Sequence, residues 1–157
     1  MSRIAYFFAL FTIALTGCTA DTSTPPDVRV EGAWSRPTLF ADQADPEAVN
    51  QVPAGTGVVY LTLTNLGGSE DALISAESAV SGQILLHQTR VEGDMASMHE
   101  MDGIIIPASQ RVELAPNGSH LMLTSLTRQL VEGQSFEVTL RFKSGKVLSI
   151  PVAIESR

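Results

Sequence analysis

From Val28 onward, apolar and polar positions alternate along the chain with the two-residue period of β-strands. The strongest segments are short, rich in β-branched or aromatic residues, and separated by turn signals such as Pro116-Asn117-Gly118. The predicted strands are Val28–Trp34, Val58–Asn65, Gln83–Val91, Arg111–Leu114, His120–Ser125, Ser135–Phe142 and Val147–Ile154. No segment keeps an apolar period of 3.6 residues over three turns, so we predict no long helix.

Seven or more short strands with frequent turns predict an all-β domain, an antiparallel Greek-key sandwich or barrel, over residues 28–157. Residues 36–55 break the pattern because they combine prolines and acidic residues with little periodicity. This long acidic loop is either an exposed connection or a docking segment for a partner, since long loops in compact domains are often functional.

The N-terminal residues 1–17 have the organisation of a signal peptide. Arg3 precedes an apolar run from Ile4 to Leu15, which is too short to span a bilayer that requires roughly 20 residues. Leu15-Thr16-Gly17-Cys18 then resembles a bacterial lipobox, whose cysteine is lipid-modified and becomes the new N-terminus. We expect residues 18–27 to be the lipidated Cys18 and a flexible tether, and the domain to face the periplasm from a membrane anchor. The alternative is an ordinary signal peptide that ends in a cysteine.

Composition excludes several classes of protein. Hydrophobic residues make up 44% of the chain and charged ones 17%, which is not the composition of a disordered protein. A net charge of −7 argues against nucleic acid as a partner, because phosphate binding needs clustered positive charge. The single cysteine excludes a disulfide framework, a thiolate zinc site and a CxxC redox centre. No GxSxG, P-loop, GxGxxG or complete HExxH motif is present, so we predict that the protein is not an enzyme.

Methionine and histidine are concentrated in one stretch of the predicted domain. This stretch contains His87, Met95, Met98, His99, Met101, His120 and Met122. In His120-Leu121-Met122-Leu123, a β-strand places the histidine and the methionine on one face and the two leucines on the other. The leucines can then enter the core, which leaves a thioether beside an imidazole. These are soft and borderline metal ligands.

The spacing of His87, Met98, His120 and Met122 is similar to the H-x10-M-x21-H-x-M signature of the PCu(A)C copper chaperones. Ala33-Trp34-Ser35-Arg36, Tyr60–Asn65 and Ala115–Leu123 resemble further segments of that family. The resemblance implies a cupredoxin-like β-sandwich in which His87, Met98, His120 and Met122 bind Cu(I) without a thiolate.

The other methionines and the third histidine receive separate predictions. Met101 precedes Asp102-Gly103 and is predicted to be a core residue. Met95 is either a core residue or a mobile auxiliary ligand. His99 adjoins Met98, so in a strand it points away from the site; we expect it to face solvent, or else to help bind a weaker second ion.

The resemblance implies an extracytoplasmic Cu(I) chaperone whose client is the dinuclear copper centre of a haem–copper oxidase, in subunit II of cytochrome c oxidase, with a Sco-type thiol chaperone downstream. Delivery, storage and scavenging of copper would use the same four ligands. A blue-copper electron carrier is excluded, because it needs a Cys thiolate and Cys18 belongs to the anchor. The alternative is a non-metal envelope lipoprotein that uses the sandwich as a binding or structural module, for which the Met and His spacing would be accidental.

Overall fold

The computed structural model describes residues 24–38, 55–92 and 95–157 of the chain. These residues form ten strands and no helix, and none of their segments is a helix able to cross a membrane. The strands are β1 (Val28–Ser35), β2 (Gly57–Asn65), β3 (Asp71–Glu77), β4 (Ser81–Glu92), β5 (Met95–Glu100), β6 (Ile104–Ile106), β7 (Arg111–Leu114), β8 (Ser119–Leu126), β9 (Ser135–Phe142) and β10 (Val147–Ile154). The predicted signal peptide, Cys18 and most of the 36–55 loop lie outside the described residues.

The strands follow the order β5-β4-β8-β2-β1-β10-β9-β3-β6, and β7 pairs with β2. Contacts of β3 with β4, and of β6 with β2, bring the two halves of this path together around one core. Gly32 adopts a φ of 61° where the register of β1 against β2 shifts, which is the backbone that a glycine permits at a bulge.

The all-β prediction is confirmed, but the pairing is not purely antiparallel, because β1 and β10 run parallel. These two strands lie at opposite ends of the chain, so no hairpin turn fixes their relative direction. All seven predicted strands are present, and β3, β5 and β6 are additional.

Alternation along the strands separates core from surface. β9 changes regularly between exposed and buried positions, whereas β2, which pairs with β1, β7 and β8, is buried along almost its whole length. In β8, Leu121 and Leu123 are fully buried in the core. The prediction that these two leucines occupy the core is therefore confirmed.

Thr24 to Asp27, which the sequence places in the tether, lie against the turn after β2. Thr24 accepts a hydrogen bond from the backbone N–H of Gly68 at 2.8 Å. A Cβ at Gly67 would stand 2.1 Å from the carbonyl oxygen of Pro25, so only glycine permits this approach. The domain therefore extends at least to Thr24.

Candidate metal centre

The four residues of the predicted centre lie on one face of the β5-β4-β8 sheet. His87 on β4 pairs directly with His120 on β8. Met122 is two residues beyond His120, and Met98 on β5 pairs with Thr89, two residues beyond His87. Cross-strand partners and residues two apart share a face. The diagonal separations from His87 to the two methionines are about 7–8 Å, within reach of long thioether side chains.

The imidazoles of His87 and His120 are in contact, with ring centres 5.9 Å apart and planes at 82°. A metal–imidazole bond of about 2.0 Å allows two rings on one ion to have centres up to about 6.4 Å apart. The two rings therefore already stand at a separation that one ion can bridge. Met98 and Met122 flank this pair on opposite sides along the strand direction.

A tight turn orients His120. Ala115 to Gly118 form a turn closed by a hydrogen bond from the Gly118 N–H to the Ala115 carbonyl at 3.0 Å, and Asn117 has a φ of 64°. Proline second and asparagine third suit a type II turn. The Gly118 carbonyl lies 3.1 Å from Nδ1 of His120. As the acceptor of an Nδ1–H bond, it leaves Nε2 free for a metal.

His120 is almost fully buried, at 4% exposure. Burial lowers the pKa of its imidazole, the hydrogen bond to Gly118 partly opposes that effect, and the neighbouring His87 lowers the pKa further. A lowered pKa favours the neutral imidazole, which is the form that binds metals. The rings of His87 and Tyr60 lie next to it, with their centres 5.9 and 6.4 Å from the centre of the His120 ring.

His87 carries a buried polar atom without a partner. Its Nδ1 is the one buried side-chain nitrogen or oxygen in the described part of the chain that has no hydrogen bond. An unsatisfied buried polar atom costs stability, and native structures rarely keep one without a reason. A metal ion bound at Nδ1 would satisfy this atom.

An aromatic wall supports the buried side of the pair. The ring centre of Tyr60 lies 6.4 Å from that of His120, and the ring centre of Trp34 lies 4.8 Å from that of Tyr60. The guanidinium of Arg157 is 5.1 Å from the centre of the Trp34 ring, a cation–π contact. Burial raises the pKa of Tyr60, although Arg36 acts in the opposite direction. The wall limits how far His120 can move.

Exposure increases across the centre, from His120 to the edge strand β5. His87 and Met122 are half-buried, whereas Met98 is 63% exposed. The structure thus brings the two histidines together and places Met122 beside them, while the Met98 side chain extends into solvent on the same face. Within the described residues, no cluster of three His, Cys, Asp or Glu side chains could hold a metal, so the thioethers are needed to complete a four-ligand site.

The remaining candidates do not join the centre. Met101 donates its N–H to Leu86 and packs against the core, which confirms its prediction as a core residue. His99 is exposed on the opposite face of β5, with Nε2 3.1 Å from the hydroxyl of Ser97, which confirms that it faces solvent. Met95 is 76% exposed, so its reading as a core residue is wrong.

Two neighbours of the centre were missed as site residues in the sequence. Tyr60 was noted only as part of a strand motif, and Glu100, the direct partner of His87 on β5, was not singled out. Tyr60 and Glu100 lie near the centre because of the order and register of the strands. The alternation of apolar and polar residues within one strand does not indicate which residues of other strands lie beside it.

Comparisons with known proteins agree with this architecture. A family model described as "Putative lipoprotein LpqE-like" matches residues 28–154. A protein of Leifsonia xyli subsp. xyli named as a putative lipoprotein is 30% identical over 156 residues, which cover 94% of this chain and 86% of the relative. An uncharacterized protein of Rickettsia prowazekii is 26% identical over 123 residues, covering 76% of this chain and 63% of that protein.

Solved structures share the fold. The copper-bound PCuAC domain from PmoF2 aligns with a TM-score of 0.63 and 24% identity, over 86% of this chain and 98% of that domain. The Cu(I)-bound solution structure of DR1885 from Deinococcus radiodurans aligns with a TM-score of 0.58 and 24% identity, over 87% and 83%. These matches confirm the prediction of a cupredoxin-like sandwich. With the family match covering nearly all of the described domain, the chain belongs to the LpqE-like family of putative lipoproteins and has the fold of PCuAC domains.

Proposed function

We propose that this protein is an extracytoplasmic metallochaperone that binds Cu(I) through His87, Met98, His120 and Met122. The proposal rests on the contact of His87 with His120 and on the unpartnered Nδ1 of His87. Met98 and Met122 occupy flanking positions on the same face. The structures with this fold include a copper-bound PCuAC domain and Cu(I)-bound DR1885, which supports copper as the cargo.

The chemistry of the donor set favours a soft monovalent ion. Thioethers bind Cu(I) preferentially, and imidazole is also a copper ligand. All four ligands are neutral, so Cu(I) can bind and leave without the obligatory proton release of a thiolate site. Outside the cytoplasm, free thiols tend to oxidise, whereas a thioether is oxidised only to a reversible sulfoxide. The ligand set therefore suits repeated loading and unloading in the cell envelope.

The exposure of Met98 provides a route for handing over copper. His120 is held by Gly118 and by the aromatic wall, whereas Met98 projects from edge strand β5. Met98 is therefore the ligand that a client's own ligand can displace most easily. The ion would then remain on His87, His120 and Met122 until the client takes it.

Anchoring completes the proposal. Lipidation at Cys18 would hold the domain at a membrane, and tethering beside a membrane-bound client raises the effective concentration of the chaperone. The proposed client is the dinuclear copper centre of cytochrome c oxidase, with a Sco-type chaperone as a further partner. Deleting the gene should then lower the copper content and activity of the oxidase in copper-poor medium. Normal copper content and activity under those conditions would show that the oxidase is not the client.

Anaerobic Cu(I) competition against a chromophoric chelator tests the binding function. The full-length protein in detergent would be compared with Met98→Leu and Met122→Leu variants. Met95→Leu is the matched control, because Met95 is an exposed methionine on β5 whose side chain points to the other face. We expect one tightly bound Cu(I) per chain, weakened by each of the first two substitutions and unaffected by the third. Absent binding, or equal effects of all three, would favour the non-metal lipoprotein.

A further inference from the structure

The residues that precede β1 lie against one end of the sheet. The Thr24 hydroxyl accepts a hydrogen bond from the Gly68 N–H at 2.8 Å, and the Thr24 carbonyl accepts one from the Ser69 hydroxyl at 2.9 Å. The Asp27 carbonyl accepts a further bond from the Leu66 N–H at 2.9 Å. We call this the tether end of the domain, made of Thr24–Asp27, the turn 66–70 between β2 and β3, and the turn 143–146 between β9 and β10.

The stretch of chain between the proposed anchor and the tether end is short. Only residues 19–23 separate Cys18 from Thr24. An extended chain covers at most about 3.6 Å per residue, so the stretch from Cys18 to Thr24 reaches about 22 Å at most. A lipid on Cys18 therefore keeps the tether end, rather than the opposite end of the sheet, close to the membrane surface.

The tether end exposes apolar and basic side chains together. Leu66 on the first turn is 54% exposed, and Val147, directly after the second turn, is 49% exposed. The two lysines of the chain, Lys143 and Lys146, both lie on the second turn. Lys146 donates a hydrogen bond to the Asp27 carboxylate at 3.1 Å, which joins this turn to the tether residues. Lys143 is exposed and forms no ion pair within the described residues, so its charge is available to a partner.

The charge at the tether end differs in sign from that of the whole chain, which is −7. Four cations face three carboxylates there, namely Arg29, Arg111, Lys143 and Lys146 with Asp27, Glu70 and Asp71. Asp27 is paired with Lys146 and Arg29, and Asp71 is buried and hydrogen-bonded to Ser144. Each basic residue near an anionic membrane surface favours contact by about fivefold. The tether end is therefore suited to such a surface.

We propose that the tether end rests on the anionic surface of the membrane that holds the lipid, with Leu66 and Val147 at the interface and Lys143 facing the headgroups. This inference rests on the anchoring in the proposed function and adds an orientation to it. Apolar groups gain by leaving water at the interface, and a lysine stem can lie there while its charge stays at headgroup level. Tyr60, beside the candidate centre, lies five residues before Asn65 on β2, which is about 17 Å along the strand. The candidate centre is thus held above the lipid, where a membrane-bound client can reach it.

Acetylation of the lysines with an uncharged reagent tests the contact, because both lysines lie at the tether end. The lipidated protein is placed on vesicles of phosphatidylcholine alone or with phosphatidylglycerol, floated to establish attachment, and acetylated, and the rate at each lysine is read by mass spectrometry. Val131→Lys supplies a reference lysine, because Val131 is 44% exposed and the turn that follows it bonds to Ile154, at the other end of β10. Leu66→Ser/Lys143→Glu is the variant that should break the contact.

We expect acetylation of Lys143 to be about fivefold slower with phosphatidylglycerol than without it, while the rate at the reference lysine is unchanged. In Leu66→Ser/Lys143→Glu, acetylation of Lys146 on the same vesicles should be faster than in the unsubstituted protein.

If the protein floats but Lys143 is not slowed, or the reference lysine is slowed equally, the contact is overturned and the anchor stands. Slowing that disappears when the protein is diluted over more vesicles overturns the lipid contact in favour of a second copy of the chain. A protein that does not float overturns the anchor and the contact together, and the Cu(I) competition described above tests copper binding separately. The failures are therefore distinguishable.

Discussion

Replacing His87 with phenylalanine should stabilise the metal-free protein while abolishing its response to copper. The wild-type ring has a buried Nδ1 with no hydrogen-bond partner. Phenylalanine removes that atom but keeps a ring against His120, whose centre lies 5.9 Å away. Because His87 is only half-buried, the larger ring has room at the sheet surface. The prediction follows because the unpartnered nitrogen destabilises the protein when the centre holds no metal.

The magnitude follows from the unsatisfied nitrogen. Leaving a buried polar atom without a partner costs about 1–3 kcal/mol, and the aromatic contact, worth about 0.5–1.5 kcal/mol, is retained. We therefore expect His87→Phe to raise the free energy of unfolding by about 1–3 kcal/mol. In the wild-type protein, Cu(I) at a free concentration of 100 times Kd should add about 2.7 kcal/mol. The variant should gain much less at the same concentration.

Urea unfolding at pH 7.5, with and without Cu(I) under anaerobic conditions, measures both effects. His99→Phe is the matched control, because His99 is exposed and its Nε2 already contacts the hydroxyl of Ser97. A surface substitution of this kind should change stability by no more than about 0.5 kcal/mol. If metal-free His87→Phe is less stable than the wild type while His99→Phe is neutral, the unpartnered nitrogen of the empty centre carries no such cost.

Three further predictions concern the domain and its ligands. Burial lowers the pKa of His120 below its ordinary value, so below about pH 6.5 the unfolded chain binds more protons than the folded one. The free energy of unfolding should therefore rise with pH up to about pH 6.5. Urea unfolding at several pH values should show this rise, and His120→Phe should make it smaller. Asn65 is fully buried, and its side chain makes four hydrogen bonds with the backbone of Asp27, Gly67, Ser69 and Ile106. At about 1 kcal/mol per bond, Asn65→Ala should cost about 4 kcal/mol, seen as a lower urea midpoint, with one Cu(I) still bound per folded chain. Nitrogen-15 NMR should show Cu(I) on Nδ1 of His87 and on Nε2 of His120, and Nδ1 ligation by His120 would contradict the role of Gly118.

The regular strands could be predicted from the sequence because their alternation directly reflects one buried face. β9 carries phenylalanine, valine and leucine at every second position, and β8 has Leu121 and Leu123 two residues apart. β3 was missed because it opens with Asp71, a charge that normally marks a turn. In the fold this carboxylate is buried and accepts hydrogen bonds from the N–H and hydroxyl of Ser144 at 2.9 and 2.6 Å.

β5 and β6 escaped prediction for other physical reasons. β5 carries exposed methionine, serine, histidine and glutamate and therefore lacks the apolar alternation of a half-buried strand. It is stabilised by pairing with β4 along its whole length. β6 has only three residues, all isoleucine, a run too short for its period to be read.

The candidate ligands could be named from their spacing, and the alternation of β8 correctly placed His120 and Met122 on one face. Their surroundings could not be predicted. Tyr60 covers His120, and Glu100 adjoins His87, only because β2 and β5 are the neighbours of β8 and β4. Such neighbours are fixed by the packing of the whole sheet, and no local pattern in the sequence records them.

Two imidazoles and two thioethers are proposed to converge on one Cu(I). X-ray absorption at the copper edge of the Cu(I)-loaded protein tests this arrangement, because sulfur and nitrogen scatter at distinguishable distances. We expect a mixed nitrogen and sulfur shell that loses sulfur in Met98→Leu and again in Met122→Leu. A shell of nitrogen and oxygen alone, or a sulfur signal that survives both substitutions together, would contradict it.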